Sequence, residues 1–340
     1  MTERTDLVML GWTPDDEESF LEQTEAQIAR VVIVHGGHAE VMSASGTENV
    51  TETVLFSSTL DTTPVAGDWV AVLQGTIVEV APRRTSMARP DPGGNRTQVL
   101  AANIDLILVV VAADPIPSLN AIERMQVMAW DSGATPVLVL TKADQCSDLD
   151  EVLEHVAPVS SGLETIVTSI TDGRGLSLLH DRVENLTTTM LGASGAGKTS
   201  LLNALHGTDA ATAPVRRDGQ GRHTTTTRRL FPMPWGGVML DIPGIRSLAL
   251  QAGQEGISDT FADISELSYH CRFSDCLHER TAGCAVAAAV ADGRLSARRL
   301  DSWLAVQREL SFQERRRDPA AMAEQRKRWK QATKMSRKSR

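Results

Sequence analysis

Nine residues, Gly192-Ala193-Ser194-Gly195-Ala196-Gly197-Lys198-Thr199-Ser200, constrain this chain more than any others. They read G-x-x-x-x-G-K-[ST]. They follow a strand-like run ending at Leu191 and precede a helical pattern carrying Leu201, Leu202 and Leu205. A strand, a glycine turn and a helix start in that order place backbone N–H groups around phosphates. The glycines allow the close backbone approach that this needs. Lys198 adds a point charge at the β- and γ-phosphates, and Thr199 offers a hydroxyl to Mg²⁺.

The surrounding pattern agrees. Residues 104–113 are nearly all apolar and rich in β-branched side chains, as a strand buried on both faces requires. Residues 119–130 have helical spacing, with Leu119, Ile122, Met125 and Met128 on one stripe. Further strands are expected at 136–140, 166–168, 188–191 and 238–240, separated by helical segments. Alternation of strand and helix predicts a parallel α/β sheet.

Other motifs fall at strand ends. Asp241-Ile242-Pro243-Gly244 closes the run 238–240, 49 residues after Gly192. There Asp241 reaches Mg²⁺ through water, and the Gly244 N–H approaches a γ-phosphate. Between the two lies Gly221-Arg222-His223-Thr224-Thr225-Thr226-Thr227, after a stretch without apolar pattern that reads as a mobile loop. A threonine in such a loop completes a Mg²⁺ shell when a γ-phosphate is present. Thr224 and Thr225 are both candidates, and a plain Thr-rich strand describes 224–229 equally well.

Thr141-Lys142-Ala143-Asp144 follows the strand 136–140 and resembles the [NT]-K-x-D motif that reads guanine. A carboxylate at Asp144 accepts from guanine N1–H and N2–H₂ together, a donor pair adenine lacks. The Lys142 stem would cover the base. The loop around Ser169, in Val167-Thr168-Ser169, is the candidate to bring a backbone N–H to guanine O6. Asp144 precedes Gly192, whereas ordinary GTPases have the phosphate loop first. The rotated order implies a circular permutation, which surface termini permit.

Cys271-x₄-Cys276-x-His278-x₅-Cys284 follows. Three thiolates and an imidazole within fourteen residues make a closed tetrahedral set, as a structural Zn²⁺ requires. No position is left for water, so the expected role is structural. Cys146 stands apart as a free thiol.

Composition sets the outer limits. At ~150 residues per domain, 340 residues suggest about two domains, or three if some are small. With 41% hydrophobic and 23% charged residues, global disorder is excluded. No apolar run approaches the ~20 residues of a membrane span. The N-terminus lacks a basic start followed by an apolar stretch, so no secretory signal is read. Four cysteines suit a reducing compartment better than a disulfide scaffold. The net charge of -9 is uneven: residues 308–340 hold 12 Lys/Arg against 4 Asp/Glu. A basic tail on an acidic body points to a polyanion at one end or to a solvated helix. Residues 1–27, with eight Asp/Glu and one Arg, read as a poorly ordered extension with a short helix near 20–28. Five short β-rich runs between residues 29 and 80 suit a small barrel, OB or SH3-like. Residues 82–96, rich in Arg and Pro, read as a linker.

Together these elements resemble the small ribosomal subunit biogenesis GTPases of the RsgA (YjeQ) family. The matching residues are TKAD at 141–144, GASGAGKTS at 192–200, GRHTTT at 221–226, DIPG at 241–244 and CRFSDCLHERTAGC at 271–284. PVAGDWVAV at 64–72 and RRTSMARP at 83–90 are also similar. The resemblance implies an N-terminal OB-fold β-barrel, a circularly permuted P-loop α/β GTPase domain and a C-terminal, mostly helical zinc-binding domain. The expected division is an acidic extension (1–28), barrel (29–90), GTPase domain (97–255), zinc domain (256–310) and basic tail (311–340). It further implies a cytoplasmic GTPase that binds the small (30S) subunit and its 16S rRNA during late assembly, with hydrolysis stimulated by that subunit. GTP/GDP, one structural Zn²⁺ and Mg²⁺ are the expected ligands; no membrane partner is expected, and a monomer suffices. Two departures stand out: Thr141 replaces the more usual Asn, and the acidic extension is long.

The mechanism read from the residues is positioning plus charge stabilisation at the γ-phosphoryl group. Ile245 occupies the place of a water-orienting Gln, so intrinsic hydrolysis is expected to be slow. His223 is the candidate substitute, a loop histidine that only packs being the alternative. A P-loop ATPase or small-molecule kinase competes with this reading, and ATP competition separates the two through Asp144. A nucleic-acid-binding protein with a degenerate nucleotide unit is disfavoured by the intact Lys198, Thr199 and Asp241. Arg83, Arg84, Arg89 and the tail 315–340 are the expected RNA contacts.

Overall fold

The computed structural model describes residues 4–13, 16, 25–45, 48–90, 97–207, 228–242, 254–278 and 281–317. The chain divides into two compact units, 1–88 with 99–248, and 89–98 with 249–340.

In the first unit, β1 (Gln27–His35), β2 (His38–Ser45), β3 (Glu48–Phe56), β4 (Trp69–Leu73) and β5 (Thr76–Val80) close into a barrel in the order β1-β2-β3-β5-β4. Only β3 and β5 pair in parallel. This five-stranded closure is OB-like, and it removes sheet edges. Period-two alternation sorts the strands' side chains into two sets. Ala29, Val31, Ala39, Val41, Val54, Val70, Val72 and Ile77 fill the barrel. Val32, Met42, Trp69 and Ala71 face outward into a second core with Leu100, Ile104, Ile107, Leu191 and Leu240. That side of the barrel's outer wall is therefore itself buried.

β6 (Ser86–Pro90) and β7 (Thr97–Ala102) form a two-stranded ribbon, so the expected linker 82–96 is partly strand. Met87 is buried, and Thr85 Oγ1 both donates to Ile104 O at 2.7 Å and accepts from Ile104 N at 2.6 Å.

The sheet is built from β8 (Leu106–Ala112), β9 (Thr135–Thr141), β10 (Thr165–Val167), β11 (Thr187–Leu191), β12 (Arg229–Pro232) and β13 (Val238–Asp241). Its order is β10-β9-β8-β11-β13-β12, all parallel except the edge pair β12–β13. α1 (Leu119–Asp131) and α2 (Leu149–Ser160) pack on one face through Ile122, Val152, Val156 and Val159. α3 (Leu176–Val183) and α4 (Lys198–His206) cover the other through Leu179, Val183, Leu201 and Leu205. Helices on both faces make a doubly wound α/β layer structure.

Local expectations change or widen in several places. β12 was not foreseen, because the four residues RLFP carry no readable period; its proline is tolerated at a sheet edge. The stripe Leu119, Ile122, Met125 and Met128 packs on the core, with Ile122 fully buried, and the buried face extends to Glu123, Gln126, Val127 and Ala129. Gln126 Nε2 donates to Val159 O at 2.7 Å, which satisfies that buried amide. The N-terminus packs: a 3-10 turn over Arg4–Leu10 buries Leu7 and Leu10, and Trp12 meets Trp69 edge-on at 4.7 Å. Gln27 and Ile28 belong to β1, not to a helix.

A buried charge cluster joins these pieces. Arg30 on β1 is fully buried. Its Nε donates to Gly67 O at 3.2 Å, Nη2 to Asn103 O at 3.1 Å, and Nη1 to Leu10 O. The guanidinium also lies 4.6 Å from the Trp69 ring centroid. Gly67 brings its backbone so close to Ala102 that a Cβ would sit 2.2 Å from that carbonyl oxygen. Arg83 grips Asp68 with two bonds of 2.7 and 2.8 Å, and Arg84 bonds Asp16 at 3.1 Å and Asp105 at 2.9 Å. Arg83 and Arg84, expected to meet RNA, are instead spent on carboxylates inside the fold.

In the second unit, α5 (Gln254–Thr260) and α6 (Ala262–Ser268) are followed by α7 (Ala285–Ala291) and α8 (Ala297–Arg317). Arg299 holds both oxygens of Asp263 at 3.0 Å, donates to Thr260 O at 2.7 Å and covers the Phe261 ring at 4.5 Å. No described helix is long and apolar enough to cross a membrane.

Replacing Arg30 by Met leaves three carbonyls without their donor. The expected cost is about 3–5 kcal/mol, read as a lower urea midpoint. Arg30→Lys should recover little, because an ammonium cannot span three acceptors and stack as well. A loss within ~0.5 kcal/mol, typical of surface sites, would contradict this role.

Candidate nucleotide site and metal centre

The loops that follow β9, β10 and β11, with Asp241 at the end of β13, lie at the carboxyl edge of the parallel sheet, where such folds bind ligands. β11 ends at Leu191 and the phosphate loop begins at Gly192. A Cβ on Gly192 would lie 2.3 Å from Val110 O of the neighbouring strand, so only glycine fits. Gly197, at φ 90°, caps α4, whose first residues are Lys198 and Thr199. Lys198 Nζ donates to Gly192 O and Ala193 O, both at 2.7 Å, which holds the ammonium over the loop.

β9 ends in Thr141, the first residue of TKAD. Its buried hydroxyl donates to Ala196 O of the phosphate loop at 2.6 Å. Thr141 thus ties the base-reading segment to the phosphate loop. The sequence marked this position only as a departure from Asn. Lys142 then takes a left-handed turn, φ 58°, into a 3-10 turn at Ala143–Gln145 that carries Asp144.

The Asp144 carboxylate accepts from Ser169 Oγ at 2.8 Å and from Thr171 Oγ1 at 3.0 Å. The Ser169 bond, with that of Thr171, holds its carboxyl below the ordinary value against desolvation, so Asp144 is ionised at neutral pH. Ser169 Oγ also accepts from the Thr171 and Asp172 N–H groups at 3.2 and 3.3 Å. Thr171 was missed by sequence reasoning, since nothing in its spacing marks it. The Thr168 N–H is donated to Leu140 O at 2.7 Å and the Ser169 N–H to Arg174 O at 3.0 Å. Neither is open to guanine O6. The next residue, Ile170, donates to no protein acceptor among the described residues.

Asp241 is exposed at the end of β13, paired in register with Arg229. His223, Thr224, Thr225 and Gly244 lie outside the described residues, as do Ile245 and the tail beyond 317.

Cys271, Cys276, His278 and Cys284 do come together, their ligand atoms all within 4.8 Å of one another. The Cys271–Cys284 sulfurs are 3.9 Å apart, and His278 Nδ1 lies 3.7 Å from Cys271 Sγ and 3.4 Å from Cys284 Sγ. A tetrahedral ion ~2.3 Å from sulfur and ~2.1 Å from nitrogen gives S–S edges of about 3.8 Å and S–N edges of about 3.6 Å. These three edges fit that geometry, and with Cys276 alongside the four residues can hold a metal ion. Burial holds the His278 imidazole below its ordinary value, and the neutral ring is the ligating form. Cys284 begins α7, with its sulfur accepting from Ala287 N at 3.3 Å.

Comparison with known proteins agrees with this geometry. The family model described as RsgA GTPase matches residues 80–251. A protein of Streptomyces coelicolor named small ribosomal subunit biogenesis GTPase RsgA is 39% identical over 339 residues, 94% of this chain and 91% of that one. One of Lactiplantibacillus plantarum, named small ribosomal subunit biogenesis GTPase RsgA 2, is 36% identical over 318 residues, 90% of each chain. Among solved structures, YloQ, a circularly permuted GTPase, superposes with TM-score 0.64 at 23% identity, covering 86% of this chain and 97% of that one. YjeQ from Thermotoga maritima gives 0.63 at 26%, covering 84% and 98%.

Thr141→Val keeps the shape and removes the bond to Ala196 O. A buried hydrogen bond is worth about 1 kcal/mol, so GDP should bind roughly fivefold more weakly in fluorescent-nucleotide titration. Unchanged affinity would show that the tie does not position the loop.

Proposed function

The chain belongs to the RsgA GTPase family, and from that premise we propose that it binds the small (30S) ribosomal subunit and acts in its late maturation. In this reading GTP hydrolysis is stimulated by that subunit, and its 16S rRNA is the polyanion met. The observation that carries the reading is the tie from Asp144 through Thr141 to the phosphate loop. It sets a guanine-selective carboxylate and a phosphate cradle in one frame.

The residue roles follow from chemistry. Asp144 accepts from guanine N1–H and N2–H₂, with Lys142 and Ala143 shaping the base cleft. The Ile170 N–H takes the place first assigned to the Ser169 segment and meets O6, while Ser169 orients Asp144. Backbone N–H groups of 193–200 surround the phosphates, and Lys198 holds the β- and γ-phosphoryl oxygens. Bound Mg²⁺ would neutralise charge developing on those oxygens. Thr199, with Thr224 or Thr225, would hold it directly, and Asp241 through water. The Gly244 N–H binds the γ-phosphate. Ile245 cannot orient water, so turnover is slow without the subunit; His223 is the group offered in its place.

A Zn²⁺ ion on Cys271, Cys276, His278 and Cys284 is structural in this reading, because four protein ligands leave no open position. The proposed division is a barrel at 29–90, a GTPase domain at 97–255 and a zinc domain at 256–310. The extension 1–28 and the basic tail 311–340 flank them. With Arg83 and Arg84 consumed by carboxylates, phosphate contacts fall to Arg89 and the tail, and they weaken with salt. The protein works as a cytoplasmic monomer.

The test is GTP turnover by purified protein with and without small subunits. Slow intrinsic hydrolysis that rises at least about tenfold with small subunits, a gain of ~1.4 kcal/mol in barrier, is expected. Turnover indifferent to small subunits would contradict the proposal.

A further inference from the structure

The metal reading names four ligands and leaves open what aims them. A histidine can ligate through either ring nitrogen, and the choice is set by what the other nitrogen bonds. Here the partner is Ser268, the last residue of α6. Its hydroxyl lies 2.7 Å from Ile264 O and 3.0 Å from His278 Nε2. A hydroxyl has one proton. A carbonyl oxygen only accepts, so that proton goes to Ile264 O. The serine can then only accept from His278, and Nε2 must carry the ring hydrogen. Nδ1 is left as the bare lone pair. It is also the atom 3.4 Å from Cys284 Sγ and 3.7 Å from Cys271 Sγ. The Trp303 ring, 5.1 Å from the imidazole centroid, fixes the plane of the same ring from α8.

We propose that Ser268 is the positioning residue of the metal centre: it locks His278 in the Nε2–H tautomer and presents Nδ1 to the ion. The inference rests on the metal reading above. It also gives the metal a mechanical role. α5 and α6 are the first described helices after Asp241, and Ser268 fastens the end of α6 to a ligand. A bound ion would join His278, Ser268 and the Ile264 carbonyl in one chain of bonds into α6. Arg299 pins the same helix at its start, through Asp263 and the Thr260 carbonyl.

Two measurements test it on the full-length protein. Zinc content of the wild type is measured first. Zinc transfer to a chelator with a coloured zinc complex is then followed for the wild type, Ser268→Ala and the control Ser265→Ala. Alanine favours helix over serine, so α6 is not weakened by either change. Ser268→Ala is expected to weaken zinc retention about 10–100-fold, as loss of an outer partner of a ligand does. Ser265→Ala should match the wild type, and Ser268→Thr should restore retention. Second, nitrogen NMR of the wild-type His278 ring should report a protonated Nε2 and a metal-bound Nδ1. Ligation through Nε2, or zinc-loaded Ser268→Ala releasing metal as slowly as the wild type, overturns this inference and leaves the metal reading standing. A wild-type protein that purifies without zinc and takes up none overturns both.

Discussion

A single buried guanidinium organises the larger unit. Arg30 meets three carbonyls from three places in the chain: Leu10 near the N-terminus, Gly67 before β4 and Asn103 before β8. Each belongs to a different structural piece, and a guanidinium with five donors can serve all three at once. Burial pushes Arg30 down to about 10, with Asp105 the foremost charge opposing that shift, so it stays charged at neutral pH. Arg30, Arg83 and Arg84 stand against Asp16, Asp68 and Asp105, so the cluster is neutral as a whole. A buried charge without such partners would cost several kcal/mol. The barrel wall, the N-terminal turn and the start of the sheet share that cluster and the apolar core around Trp69.

On this base the chain order matters less than the sheet order. β9 and β10 lead into Thr141–Asp144 and Ser169–Thr171 and precede β11 and β13, which carry the phosphate loop and Asp241. The parallel register nevertheless brings their carboxyl ends to one edge. A parallel sheet needs its strands side by side and its crossovers covered, and neither requirement depends on where the chain starts. The price of rotation is that two loops distant in sequence must be held together in space. Thr141 does this with one hydroxyl, across 55 positions of chain.

The nucleotide motifs and the metal ligands were legible because their chemistry needs fixed residue types at short spacing. The strands β8, β9 and β13 were legible because burial leaves nearly pure apolar runs, and β11 because its β-branched threonines lead into Met190-Leu191 just before the phosphate loop. Arg30 was not, since an arginine within a β-branched run resembles a solvent-facing position until its three acceptors are assembled. Arg83 and Arg84 misled for the same reason: sequence shows a charge but not its partner. The α1 stripe was legible through Ile122, whereas Glu123 and Gln126 on the same buried face are polar and carry no apolar signal. Leu7, Leu10 and Trp12 were hidden by the acidic composition around them. Thr171 and Ser268 act through hydroxyls placed by tertiary contacts, and no local period announces them.

The proposed selection of guanine by Asp144 is where motif, geometry and family meet. Both carboxylate oxygens are oriented by hydroxyls, and the group is ionised. The most direct measurement is competition for a bound fluorescent guanine nucleotide by GDP, ADP and XDP, in the wild type and in Asp144→Asn. GDP should displace it at least about 100-fold more effectively than ADP, a difference of ~2.7 kcal/mol, and Asp144→Asn should shift preference toward XDP. Equal displacement by ADP, or an Asp144→Asn protein that still prefers GDP, would contradict it.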